Sequence, residues 1–186
     1  EEVSKEVKGL FKRTNVTDEK EISDLVSTAQ KEFGGIDIFC SNVGVGSYED
    51  FLETTGADLA RMLNVNLMSH IHSARSVLPG MLQQGSGYFV FTASAAGLLS
   101  QIGSATYSVT KHAVVSFAEW LKISYGKSGI GVSCSCPQFV RTPMTEGMPD
   151  SPGSDNIIEP EIVANDVINA ISNGKFLVTP HPEVLE

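Results

Sequence analysis

The sequence predicts an α/β protein: a doubly wound parallel sheet with helices on both faces, all of residues 1–186 forming one domain. Three observations lead there. Short apolar runs alternate with longer segments whose apolar residues recur every three or four positions. The run Tyr88-Phe89-Val90-Phe91-Thr92-Ala93 is nearly continuous in apolar side chains, as a strand covered on both faces must be. A chain of 186 residues, 41% hydrophobic and 19% charged, has the size and makeup of one globular core.

In chain order, Glu1 to Lys8 reads as the tail of a helix already under way, with Val3 and Val7 one turn apart and Gly9 as its stop. With no initiator methionine, and with Glu186 falling where a new helix is due after Pro182, the chain is expected to be an internal piece of a longer protein. Leu10 to Val16 is a short strand candidate. Asp18 then caps a helix, Glu21 completing a capping box, and Ile22, Leu25, Val26, Ala29 and Phe33 follow at helical spacing up to Gly34. Ile36 to Cys40 is a compact strand. From about Ala57 a long helix carries Leu59, Met62, Leu63, Leu67, Ile71, Ala74 and Leu78 on one stripe until Pro79-Gly80 breaks it. After the strand at 88–93, Ser104 to about Tyr125 is helical and Val132 to Cys136 is a strand ended by Pro137. Glu161 to Asn173 is helical, and Phe176 to Thr179 is a last strand. The order is β-α-β-α-β-α-β-α-β, which right-handed crossovers turn into a parallel sheet.

Charge and cysteine content narrow the function classes. Thirteen basic against 22 acidic residues give a net charge of −9. Such a chain lacks the basic face that duplex nucleic acid or an anionic membrane attracts, so neither is an expected partner. No apolar run approaches the ~18 residues of a membrane span. Cys40, Cys134 and Cys136 have no CxxC spacing and read as reduced, buried thiols, which suits a cytoplasmic setting. His70 and His72, two apart on a helix, point apart, so no metal is expected.

In parallel sheets a ligand lies off the carboxyl ends of the strands. The residues there are Asn15-Val16, Ser41-Asn42-Val43-Gly44, Ser94 and Pro137 to Thr142. Tyr107 and Lys111, one helical turn apart, share a face of the helix that follows Ser94. An unperturbed tyrosine titrates at ~10. An ammonium ~4 Å away, at an effective dielectric of ~20, favours the phenolate by ~4 kcal/mol, enough to bring Tyr107 toward working pH.

Asn42-Val43-Gly44, Asn66, Ser94, Tyr107-x-x-x-Lys111 and Pro137-Gln138-Phe139-Val140-Arg141-Thr142 together resemble the short-chain dehydrogenase/reductase family in its compact single-domain form. The resemblance spans nearly the whole chain. It implies a Rossmann-like fold, an NAD(P)-binding domain over 1–186, and hydride transfer between a nicotinamide cofactor and a ketone or secondary alcohol. It gives Tyr107 the role of general acid/base and Lys111 those of tuning Tyr107 and binding the nicotinamide ribose. Ser94 would polarise the substrate oxygen, and Asn66 would hold a water that links Lys111 to solvent. For the cofactor it implies Asn15 and Val16 at the adenine, where relatives carry Asp, and Asn42, Val43 and Gly44 at the central strand, with Val43 for the usual alanine. Pro137, Val140 and Thr142 would meet the nicotinamide, Gln138 standing where a glycine is usual. The family's first β-α-β unit, with its glycine-rich phosphate loop and the acid or base that separates NAD from NADP, has no counterpart here, so both cofactors stay open.

The resemblance also implies a homo-oligomer, a dimer or tetramer, through the Tyr107 and Asn66 helices, with Phe117 and Trp120 as core or subunit contacts. Leu98, Leu99, Ile102, Met144 and Met148 point to an apolar carbonyl or alcohol substrate. The stretch from Met144 to Ile158 reads as a lid over the site or a solvated connection. Two other functions stay open: a truncated or non-catalytic relative serving as an interaction module, and a cofactor-dependent epimerase or lyase.

Overall fold

The computed structural model describes residues 2–46, 51–146 and 156–185. Its helices are α1 (Glu2–Glu6), α2 (Glu19–Phe33), α3 (Gly56–Leu63), α4 (Ser69–Gln84), α5 (Ala105–Tyr125) and α6 (Pro160–Asn173). The strands β1 (Ile38–Ser41), β2 (Gly87–Thr92), β3 (Ile130–Ser135) and β4 (Leu177–Val178) pair in sequence order, each parallel to the next.

Alternation along the strands explains the two layers. Phe89 and Phe91 of β2, with Val132 and Cys134 of β3, form the main core with Val26, Ala74, Val77 and Met81 of α2 and α4 and with Val114, Ala118 and Leu121 of α5. Phe91 meets the rings of His70 and Phe117 edge-on at 5.8 Å each, so α4 and α5 cover the same face. Tyr88 points the other way. Its hydroxyl meets Ser133 Oγ at 2.8 Å and Ala170 O of α6 at 3.4 Å. The chain steps in one direction from β1 to β4, so connections of a single hand would leave every linking helix on one side. The β3–β4 connection therefore has the opposite hand to the two before it, and this puts a helix on the second face.

Several expectations need correction. Residues 10–16 form no strand and pair with none of the described strands, so the described residues form a sheet of four strands rather than five. A strand exists through its neighbour's hydrogen bonds, and here the segment is tied instead to α2, Lys12 Nζ reaching Asp24 O at 2.9 Å. Asp18 caps α2 as expected, but Glu21 reaches past it to the Asn15 N–H at 2.7 Å. Pro79 does not end its helix, which runs on to Gly85. The carbonyl that Pro79 cannot satisfy belongs to exposed Arg75, and burial of Val77 and Met81 holds the helix on either side. The long helix is also not uniform, since a π turn at Asn64–Met68 separates α3 from α4. Its buried side is Met62, Asn66, Ser69, His70, Ser73, Ala74, Val77 and Met81, a stripe rich in polar residues and offset from the apolar one read in the sequence.

Candidate active site

The carboxyl ends of β1, β2 and β3 open into one cavity of about 630 Å³. Asn42, Val43, Gly44, Ser94, Tyr107, Lys111, Pro137, Val140 and Thr142 line it, and α6 closes its far side with Val163, Ala164 and Val167. Asn66 lies just behind this wall. Asn15 and Val16 stand apart from it. The Asn15 amide oxygen is engaged locally, accepting from Thr17 N at 3.1 Å and Thr17 Oγ1 at 2.8 Å. Of the apolar residues singled out for the substrate, Met144 lines the cavity. Leu98 packs against the core, Leu99 and Ile102 are exposed, and Met148 lies outside the described residues. So does most of the suggested lid.

Lys111 sits on the buried side of α5 and is only 3% exposed. Its Nζ donates to Thr92 O at 3.1 Å and lies 5.5 Å from the centre of the Tyr107 ring. Among the described residues no carboxylate pairs with it. Burial of the uncompensated ammonium lowers its pKa to about 8, and the nearby Cys134 and Cys136 thiols oppose that shift. Gly44 lets the backbone close over this amine, since a Cβ there would lie 3.2 Å from Nζ.

Asn66 is fully buried at the π turn, a helical irregularity frequent at functional sites. Its Oδ1 accepts from Val45 N and its Nδ2 donates to Val45 O, both at 2.8 Å, which pins the turn after β1. The same Nδ2 reaches Thr110 Oγ1, next to Lys111, at 3.3 Å. Ser94, just past β2, has extended backbone. Its Oγ accepts from Ala96 N at 3.1 Å and donates to Pro137 O at 3.5 Å. That second bond is weak enough to be exchanged for a ligand oxygen.

Two histidines matter that the spacing of residues did not reveal. His181 is taken up below. His70, one turn after Asn66, is fully buried and its Nδ1 meets Ser41 Oγ at 2.6 Å, bolting the end of β1 to α4. Its Nε2 has no hydrogen-bond partner among the described residues. Burial, and secondarily the Lys111 charge, lower its pKa to about 3. The fold therefore favours neutral His70, a stabilisation complete above pH ~6.5 and lost as pH falls toward 3, worth up to about 5 kcal/mol. Urea titrations between pH 7 and pH 4 should show this as a falling unfolding free energy. His70→Leu should flatten that slope. An identical slope in the variant would assign the acid sensitivity to other groups.

A family model described as short chain dehydrogenase matches residues 1–152. The chain belongs to this family. Short-chain dehydrogenases are oxidoreductases, and so is this protein. A D-beta-hydroxybutyrate dehydrogenase from Rhizobium meliloti is 29% identical over 182 residues, covering 94% of this chain and 70% of that protein. A 2-(R)-hydroxypropyl-CoM dehydrogenase from Xanthobacter autotrophicus is 33% identical over 143 residues, covering 75% of this chain and 57% of the relative. The crystal structure of a short-chain dehydrogenase/reductase from Burkholderia phymatum in complex with NAD shares 27% identity, with a TM-score of 0.86 over 99% of this chain and 75% of that one. A 7 alpha-hydroxysteroid dehydrogenase complexed with NADH and 7-oxo glycochenodeoxycholic acid has a TM-score of 0.88 at 21% identity, covering 96% of this chain and 77% of its own, a likeness of fold.

Proposed function

We propose that this short-chain dehydrogenase interconverts a secondary alcohol and a ketone with NAD or NADP, and that Tyr107 carries the proton. The observation behind this reading is the buried Lys111 ammonium, with no carboxylate partner among the described residues, beside the Tyr107 ring in the cavity that Ser94 also lines. The donor set fits a nicotinamide riboside: Lys111 for ribose hydroxyls, Val140 and Thr142 for the carboxamide, Asn42 to Gly44 as a close backbone floor. When bound, the nicotinamide ring supplies the hydride or accepts it.

The remaining steps belong to this chain. Ser94 turns its hydroxyl from Pro137 O to the substrate oxygen, which positions the carbon and stabilises negative charge on that oxygen. Tyr107 then gives its proton to that oxygen in reduction, or takes it in oxidation. Lys111, titrating near pH 8, is charged at neutral pH and favours the phenolate. Asn66 locks the turn beneath Lys111 and holds Thr110, keeping the amine aimed at the cavity. A water held beside Asn66 would then return protons to Lys111 from solvent. Met144 gives the wall an apolar side, in keeping with an apolar substrate. The test is absorbance at the nicotinamide band across a panel of ketones and secondary alcohols with both cofactors. Silence across the panel at cofactor concentrations shown by titration to saturate the protein would remove the reading.

The adenine contact from Asn15 and Val16 rests on the family resemblance, because neither residue lines the cavity. Among the described residues no glycine-rich turn leads a strand into a helix N-terminus, where a pyrophosphate is normally held. The isolated 186-residue chain is accordingly expected to bind either dinucleotide weakly. Single hydrogen bonds of ~0.5–1.5 kcal/mol each do not offset the ~4–15 kcal/mol cost of association. Calorimetry giving a low-micromolar Kd would mean that other residues supply the phosphate site. We further propose a homo-oligomer formed through α5, where Trp120 and Ile123 are exposed, in the reducing setting that three unpaired cysteines suit.

A further inference from the structure

His181 follows β4, outside the cavity, and is 1% exposed. Its partners define its state. The Gln138 N–H donates to Nδ1 at 3.1 Å, so Nδ1 carries no proton. The Asn156 carbonyl can only accept, so Nε2 carries the proton and donates across 3.1 Å. Gln138 and Asn156 lie near the two ends of the long connection between β3 and α6. Between them the stems are tied by Ile158 N donating to Phe139 O at 3.1 Å and Arg141 N donating to Ile158 O at 2.9 Å. An Arg141–Glu159 ion pair at 2.7 Å adds to this. One neutral imidazole thus clasps both ends of the segment that presents Val140 and Thr142 to the cavity. The clasp also reaches Ser94. The residue before Gln138 is Pro137, whose carbonyl accepts from Ala95 N at 2.7 Å and from Ser94 Oγ.

We propose that His181 is a positioning residue for the active site, acting through the Pro137–Gln138 peptide on Ser94 and on the Val140–Thr142 wall. This builds on the role read for Ser94 above. A buried apolar residue would fill the same space, but it would leave the Gln138 N–H and the Asn156 carbonyl without their partner. The peptide that sets the Pro137 carbonyl would then be free to rotate.

Two substitutions separate the halves of the clasp. His181→Asn keeps an acceptor close to the Nδ1 position, facing the Gln138 N–H. His181→Gln keeps a donor close to the Nε2 position, facing Asn156. Both lose a ring and one bond, so a purely structural role predicts similar falls in Tm and in kcat. Positioning through Gln138 predicts instead that the Gln variant loses about tenfold in kcat, while the Asn variant recovers most of it. Amide hydrogen exchange reads the same link without turnover. Gln138 and Ala95 should exchange about tenfold faster in the Gln variant and near the parent rate in the Asn variant. Equal kcat losses in the two variants, or unchanged Ala95 exchange in His181→Gln, would overturn the proposal. The exchange result stands whether or not the substrate panel finds turnover, so it tests the clasp separately from the reading of the reaction.

Discussion

Tyr107→Phe should lower kcat by about a thousandfold while changing cofactor affinity by less than about threefold. The substitution keeps the ring that lies 5.5 Å from Lys111 Nζ and so keeps the packing at the start of α5. The hydroxyl is lost, and with it the transferable proton. General acid–base catalysis is worth ~10²–10⁴ in rate, and the expected loss falls within that range. Steady-state kinetics with a dinucleotide titration on the same preparation provides the check. A variant retaining a tenth of parental kcat would show that another group moves the proton. A variant that lost cofactor binding would show that the tyrosine holds the ligand rather than the proton.

Lys111→Met should have effects of opposite sign on activity and stability. Activity falls through both a lower kcat and a higher cofactor KM, because one ammonium serves the Tyr107 proton and the ribose. Stability at neutral pH should rise. The folded state lowers the Lys111 pKa from 10.5 to about 8, so below pH 8 the buried ammonium costs about 3 kcal/mol of folding free energy. That cost disappears as pH climbs from 8 to 10.5, and over this window the parent should gain stability while the Met variant stays flat. Methionine also loses the bond to Thr92 O, worth about 1 kcal/mol, leaving a net gain near ~2 kcal/mol at pH 7. In a chain of this size that is a rise in Tm of about 4–8 °C. Thermal melts at pH 7 and pH 10 decide the matter. A variant less stable than the parent at both, by the same margin, would mean that the buried charge is compensated by a partner outside the described residues.

Much of the site was legible in the sequence because its parts are local. Tyr107 and Lys111 share a helix face by spacing alone, and Ser94 and Thr142 follow strands whose apolar runs are easy to find. What was hidden depends on distant partners. His70 reads only as one of two histidines that point apart on a helix until β1 brings Ser41 beside it. His181 falls in a polar tail whose role depends on where the β3–β4 connection folds back. Asn66 was found, but its hold on Val45 was not, since nothing local links positions 21 residues apart. The misplaced elements have the same origin. Residues 10–16 have strand composition without a partner strand, and Pro79 has a helix breaker's chemistry in a helix held by Val77 and Met81. In both, tertiary context overrules the local signal.

The π turn between α3 and α4 also limits how this helix can change length. An α-helix turns about 100° per residue, so gaining or losing one residue between Met62 and His70 rotates one half against the other by that angle. The π turn absorbs one such increment. It keeps Met62 in the core and lets Asn66 face Val45 while His70 faces Ser41. Deleting exposed Asn64 would restore an unbroken α-helical repeat that keeps Met62 in phase with His70, while removing the wide turn that aims Asn66 at Val45. Side-chain exchange at Asn64 or Val65 leaves the phase untouched. A screen of single-residue deletions along 60–72 would therefore find the fold most tolerant at the turn itself and least tolerant on either side, the loss at the turn falling on the Asn66 contact instead.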